Sequence, residues 1–153
     1  RQAGFNGIIL LPTSPPPGLI QEIVPKEYQT KIVCNEINPE GPVVTDAFRD
    51  FYHRFEEKYD MPPIDIDGEY YNAIKPFFEF LNGQDTMDTT AWVEGFAEYH
   101  WQGLFGFESF WVGKPIYGIN RLPLRNFWAS EYTDGKLETK WEAPIPYELY
   151  VEK

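Results

Sequence analysis

Cysteine and histidine are nearly absent, with one Cys and two His in 153 residues. Cys34 alone cannot close an internal disulfide, and no Cys-based metal site can be assembled around it. A lack of disulfides does not decide the compartment, because many larger extracytoplasmic proteins need none. Basic residues are outnumbered: 13 Lys and Arg stand against 24 Asp and Glu, a formal charge of −11. That excludes a phosphate-backbone binder, which needs clustered cations to displace counterions. No apolar run approaches the roughly 18 residues of a membrane-spanning helix.

Aromatic residues are abundant instead. Five Trp, 10 Tyr and 12 Phe make up 18% of the chain, and hydrophobic residues 42%, so the chain is not a disordered tail. The 14 Pro and 12 Gly call for many turns between short elements. The length suits one domain with a sizeable core.

The chain opens on Arg1, without Met, basic n-region or apolar h-region, so a signal peptide upstream is neither present nor excluded. Gln2 to Gly7 reads as the last turn of a helix, stopped by glycine and feeding straight into a strand. That start is expected of a fragment. Gly7–Leu11 has the pattern of a strand buried on both faces, ended by Pro12-Thr13-Ser14-Pro15-Pro16-Pro17. Residues 17–25 read as a short helix carrying Leu19, Ile20, Ile23 and Val24. Lys31–Glu36 is a second β-prone run, and Asn38–Pro42 a hinge-like connector. Strand, helix and strand within some 30 residues make a βαβ unit, so an α/β fold with an open parallel sheet is expected.

The period then changes to helical. Phe48, Phe51, Tyr52, Phe55 and Tyr59 mark an amphipathic helix with Thr45 or Asp46 as N-cap. A second helix carries Tyr70, Ile74, Phe77, Phe78 and Leu81 as its apolar side and ends near Asn82-Gly83; Pro76 inside it predicts a kink or a late start. A third runs from Thr89 to His100. Beyond Trp101 the texture is β, with strands expected over 107–112, 115–119, 126–132 and 137–141. Asp134-Gly135 is a strong hairpin signal. A two-residue loop pairs Tyr132 with Leu137, Ser130 with Thr139 and Trp128 with Trp141 on one face. On the other face it sets Ala129 against Lys140 and Glu131 against Glu138, a like-charge pair expected at the surface.

Chemistry-bearing motifs are few. Asp65-Ile66-Asp67-Gly68 resembles part of a calcium loop, but its first and last ligand positions fall on Pro63 and Ile74. It reads as an acidic turn capping the helix at Glu69, and neither a metal nor a cofactor is expected. No serine lies in a nucleophile elbow, Cys34 sits in an apolar strand, and Gly103-x-x-Gly106 lacks the rest of a phosphate cradle. An enzyme is therefore not expected. Binding remains. Thr13 and Ser14 fall at a strand's carboxyl end, where open α/β sheets hold ligands. Of Tyr70 and Tyr71 only one can face the core with Ile74, leaving the other for a cleft.

The order and spacing of several stretches resemble a known family. They are Arg1–Gly7 entering a strand, the helix Asp46–Tyr59, Glu69-Tyr70-Tyr71-Asn72-Ala73 at a helix start, and Gly103–Gly106 leading to Phe107 and Phe110. Gly113-Lys114-Pro115 through Asn120 and the hairpin ending Asp134-Gly135-Lys136 complete the set. The chain resembles the C-terminal part of type I periplasmic binding proteins, the branched-chain amino-acid-binding-like solute receptors of ABC transporters. That resemblance implies two α/β lobes closing on a ligand by hinge motion. Residues 1–38 would end lobe two, 39–42 cross the hinge, 43–122 return to lobe one, and 123–153 cross back with the hairpin on lobe two. An N-terminal portion of the same protein would be missing, and uncovered edges and helix faces would favour a homodimer or strand swapping.

The resemblance also implies a small-molecule ligand, an ABC permease as partner and an extracytoplasmic location. Thr13, Ser14, Tyr70 and Tyr71 would line the ligand site. Amino-acid binders of this family carry an acidic residue where Thr13-Ser14-Pro15 stands, and Asn72 replaces an aspartate. A small polar or aromatic carboxylate or amino-acid-like ligand is therefore the expectation. Two other readings stand beside it: a ligand sensor of the same fold, and a carbohydrate-binding module stacking sugars on Trp128, Tyr132 and Trp141.

Overall fold

β-branched and long aliphatic residues open the chain, and they build the first two strands of a sheet. A computed structural model describes residues 4–12, 15–106, 108–109, 111–118, 122–123, 126–143 and 146–150. Strand β1 (Ile9–Leu10) is followed by helix α1 (Leu19–Ile23) and strand β2 (Ile32–Cys34). β1 and β2 pair in parallel, Ile9 against Ile32 and Leu10 against Val33, so the βαβ reading holds. The Gln29 side chain, 3% exposed, donates to the Ile20 and Val24 carbonyls and satisfies the C-terminal end of α1.

Helix α2 (Asp46–Tyr59) is capped by Thr45, whose hydroxyl accepts from the Phe48 N–H at 3.1 Å and also reaches the Leu104 carbonyl. Helix α3 (Asp65–Asn82) begins earlier than expected and continues through Pro76. Asp67 closes its first turn by accepting from the Ile64 N–H at 3.0 Å, so the acidic turn caps this helix at its own start rather than at Glu69. Helix α4 (Thr89–Ala97) stops short of His100 and is capped by Asp88.

Two small antiparallel ladders follow: β3 (Trp101–Gln102) with β4 (Glu108–Ser109), and β5 (Trp111–Val112) with β6 (Leu122–Pro123). Between β5 and β6 lies a correction to the expected strand at 115–119. Lys114–Tyr117 is a short helix, α5, flanked by Gly113 at φ 108° and Gly118 at φ 76°. Pro115 sits in its first turn, where a missing N–H leaves no helical bond unmade.

β7 (Phe127–Thr133) and β8 (Lys136–Ala143) form the expected hairpin through Asp134 and Gly135, both at positive φ. Tyr132–Leu137, Glu131–Glu138 and Ser130–Thr139 pair as read from the sequence. Beyond them a β-bulge shifts the register, so Ala129 opposes Trp141 and Trp128 opposes Glu142. Lys140 is the extra residue. Its ammonium lies 2.8 Å from Glu131 and 3.6 Å from Glu138, which relieves the like-charge juxtaposition. Glu131, with a side chain 19% exposed, is consequently less open than expected.

β7 also pairs antiparallel with β2, giving a mixed sheet in the order β1-β2-β7-β8. The molecule is thus mixed α/β. One apolar cluster joins Ile20, Ile32, Cys34 and Tyr132 beneath α1. A second joins Val44, Phe48, Phe51, Leu104, Phe105 and Trp128 beneath α2. Trp128 and Tyr132 are four residues apart on one strand, so β7 spans both. The connector after β2 is tied down: the Asn38 backbone N–H donates to the Thr139 hydroxyl at 2.7 Å and its amide to the Leu137 carbonyl at 2.8 Å.

Two expectations about burial are overturned. β1 is covered on one face only, since Ile8 and Leu10 are 61% and 70% exposed. α3 turns its apolar stripe outward: Tyr70, Ile74, Phe77 and Phe78 are 39–60% exposed. Its buried contacts are made instead at Gly68, Tyr71, Pro76 and Phe80. Gly68 sets this rotation, because a Cβ there would lie 3.1 Å from the Phe48 ring.

Candidate functional site

Two helices with ion pairs one turn apart, lying side by side, enclose a polar groove. α2 contributes Asp50 and Arg54, and α3 contributes Tyr71, Asn72, Lys75 and Glu79. The segment from Trp101 to Leu104 closes one side, and the pocket holds about 190 Å³. Arg54 Nε lies 2.9 Å from Asp50, and Lys75 pairs with Glu79. The Tyr71 ring packs on Phe51 at 4.8 Å, which fixes it in the wall. Tyr71 and Asp50 together hold the Arg54 guanidinium's pKa above its ordinary value. Asn72 Oδ1 accepts from the Leu104 N–H at 2.8 Å and so anchors the closing segment to α3.

The groove therefore carries two cations, two carboxylates, a phenol and an indole wall. Both cations are about half exposed and can leave their local partners at little cost, because exposed pairs are worth at most about 1 kcal/mol. A carboxylate entering between Arg54 and Lys75 would meet both charges, with Tyr71 as a further donor. Paired charge of both signs also suits a zwitterion.

A second polar centre lies at the carboxyl end of β2. Glu36 is 7% exposed; one oxygen accepts from the Gly18 N–H at 3.1 Å, and the other lies 2.5 Å from the Tyr132 hydroxyl. That hydroxyl is also 3.0 Å from Gln21 Oε1. One hydroxyl proton faces two acceptors. All three groups are satisfied if Glu36 carries a proton and donates to Tyr132, or if the Gln21 amide is turned to donate. Burial raises the pKa of Glu36 above the usual carboxylate range, and raises that of Tyr132 as well. Desolvation likewise pushes the Cys34 thiol up to about 11. Both oxygens of Glu36 are engaged, so it ties β2 to α1 and β7 instead of presenting a free carboxylate.

Of the four residues singled out from the sequence, Thr13 and Ser14 lie outside the described residues. Tyr71 lines the groove, whereas Tyr70 sits on the outer face of α3 at 60% exposure. One tyrosine of the pair does face the core, but Ile74 keeps company with the other. Arg54, Lys75 and Glu36 were not singled out. The only signal for the first two was a pair of i, i+4 charge matches, Asp50–Arg54 and Lys75–Glu79, on separate helices. Glu36 had none, since a single acid after a strand is unremarkable.

The aromatic platform for sugars does not assemble. Trp128 is 5% exposed and Tyr132 fully buried, which leaves Trp141 alone at 44%. The buried pair is spent on the two cores. Among the described residues no group of three His, Cys, Asp or Glu could hold a metal ion, and no helix is long and apolar enough to cross a membrane. No protein-family model, no curated protein and no solved structure matches the chain.

Proposed function

We propose that this chain is part of a solute-binding receptor that captures a small carboxylate-bearing or amino-acid-like molecule outside the cytoplasm and passes it to an ABC permease. The observation that carries the reading is the path of the chain. It leaves a βαβ unit at Asn38, builds the helices α2, α3 and α4, and returns as a hairpin whose first strand pairs with β2 and spans both apolar clusters. Hinge closure between two lobes rests on the sequence resemblance. The type I periplasmic-binding fold and the permease rest on the sequence resemblance. The ligand class rests on Arg54, Lys75 and Tyr71 facing a common space, with Asp50 and Glu79 available to an ammonium group.

A thermal-shift screen tests this. The chain is challenged with aliphatic and aromatic carboxylates, amino acids and sugars. A ligand at a hundred times its dissociation constant adds about 2.7 kcal/mol to stability. Stabilisation by a carboxylate or amino acid that disappears in Arg54→Ala and Tyr71→Phe supports the proposal. A response to sugars alone, or to nothing at millimolar concentration, overturns it.

A further inference from the structure

We infer that the outer face of α3 is a docking surface for a second copy of this chain. Ile66, Tyr70, Ile74, Phe77 and Phe78 are 42%, 60%, 50%, 39% and 58% exposed. At 100° per residue they fall on one side of the helix, and Ala73 and half-buried Leu81 lie within the same sector. No Lys, Arg or Glu interrupts that sector; Asp67, already engaged at the helix start, is its one acid. The charged side chains Glu69, Lys75 and Glu79 occupy the remainder of the helix. At one edge of the patch the Phe77 ring meets Phe96 of α4 at 5.5 Å.

The area of this face is enough for a second copy. Taking about 200 Å² for a fully exposed large side chain, the five residues leave roughly 500 Å² of apolar surface open. One side of a standard interface buries about 800 Å², and a homodimer interface is about 65% apolar, or some 520 Å². The stripe thus matches the apolar share of a stable dimer. It is also suited to pairing with itself. A two-fold axis near Ile74, midway between Ile66 and Leu81, would cross two antiparallel copies of α3 with matching residues at either end. At −11 per chain the copies repel elsewhere, and a sector almost free of charge is where that repulsion is weakest.

Neither the groove nor its cations take part in this face. Sedimentation of the full chain from micromolar to sub-millimolar concentration should give a dimer that tightens as salt screens the acidic repulsion. Ile74→Lys and Phe78→Lys should each weaken the dimer by roughly tenfold or more, with melting retained because both side chains are already exposed. Leu10→Lys, on the open face of β1, should leave it unchanged. In a chain whose native Cys34 is buried, Ile74→Cys should cross-link to its own counterpart on mild oxidation. A monomer throughout would overturn the inference and leave the face to another polypeptide. A dimer that survives both α3 substitutions, or is lost in Leu10→Lys alone, would overturn it equally.

Discussion

The Tyr132 hydroxyl meets the Glu36 carboxylate at 2.5 Å across 96 residues of sequence, and the two close the junction between the opening βαβ unit and the C-terminal hairpin. The contact lies in a buried site that also takes in Gln21 and the backbone of Gly18. Burial raises the Glu36 pKa above its ordinary value, and this makes the junction responsive to pH.

Glu36 has a folded-state pKa raised above its unfolded value, so the folded state binds more protons in the interval between them. Its stabilising contribution is fully present below the unfolded value, near 4.3, and is lost as pH rises through the folded value. Glu36→Gln keeps a donor and an acceptor without the titration. Thermal melts across pH should show the difference between wild type and this variant shifting against wild type as pH rises. A difference independent of pH would show that folding leaves the Glu36 pKa at its unfolded value.

Cys34 is 1% exposed with its thiol pKa pushed up to about 11. Little thiolate exists near neutrality and reagents cannot reach it. A thiol-reactive chromophore should therefore label the native chain only as fast as it unfolds, and promptly in denaturant. Rapid labelling of the folded chain would contradict the packing around β2.

Gly41 lies in the connector against β8, where a Cβ would stand 2.4 Å from the Thr139 carbonyl oxygen. Gly41→Ala forces the connector off the hairpin and should destabilise the chain by about 1–3 kcal/mol in urea unfolding, the usual cost of overpacking. Wild-type stability in that variant would mean the connector is not seated there.

Lys140 bridges Glu131 and Glu138 from its bulge. Lys140→Met leaves the two carboxylates opposed and should cost about 0.5–1 kcal/mol at low ionic strength, with most of the loss recovered in high salt. A loss unaffected by salt would assign the role of Lys140 to packing.

Elements with strong local codes were legible in the sequence. Asp134-Gly135 specified a two-residue turn, because both residues tolerate positive φ, and with it the first three pairs of the hairpin. Thr45 and the Phe48–Phe51–Phe55 spacing marked α2 and its buried side. The bulge at Lys140 carried no such mark, since nothing in Ala129-Ser130 or Lys140-Trp141 forbids continuous pairing. The groove was half legible: Tyr71 belonged to a pair of candidates, whereas Arg54 and Lys75 carry no local mark beyond their i, i+4 charge partners and share a site only because α2 and α3 lie side by side.

Composition and periodicity by themselves determined that the chain combines helices and strands, where α2, α3, α4 and the hairpin begin and end to within a few residues, and which side of α2 and α3 is apolar. Those properties follow from backbone sterics and from side chains a few residues apart. Tertiary structure alone decided that α3 points its apolar stripe outward, because the close approach of Gly68 to Phe48 and the Asn72–Leu104 bond rotate the helix about its axis. It also decided that Glu36 meets Tyr132, because β7 returns from the far end of the chain to lie beside β2. A periodic pattern records that a face avoids water; only the arrangement of distant segments decides what covers it.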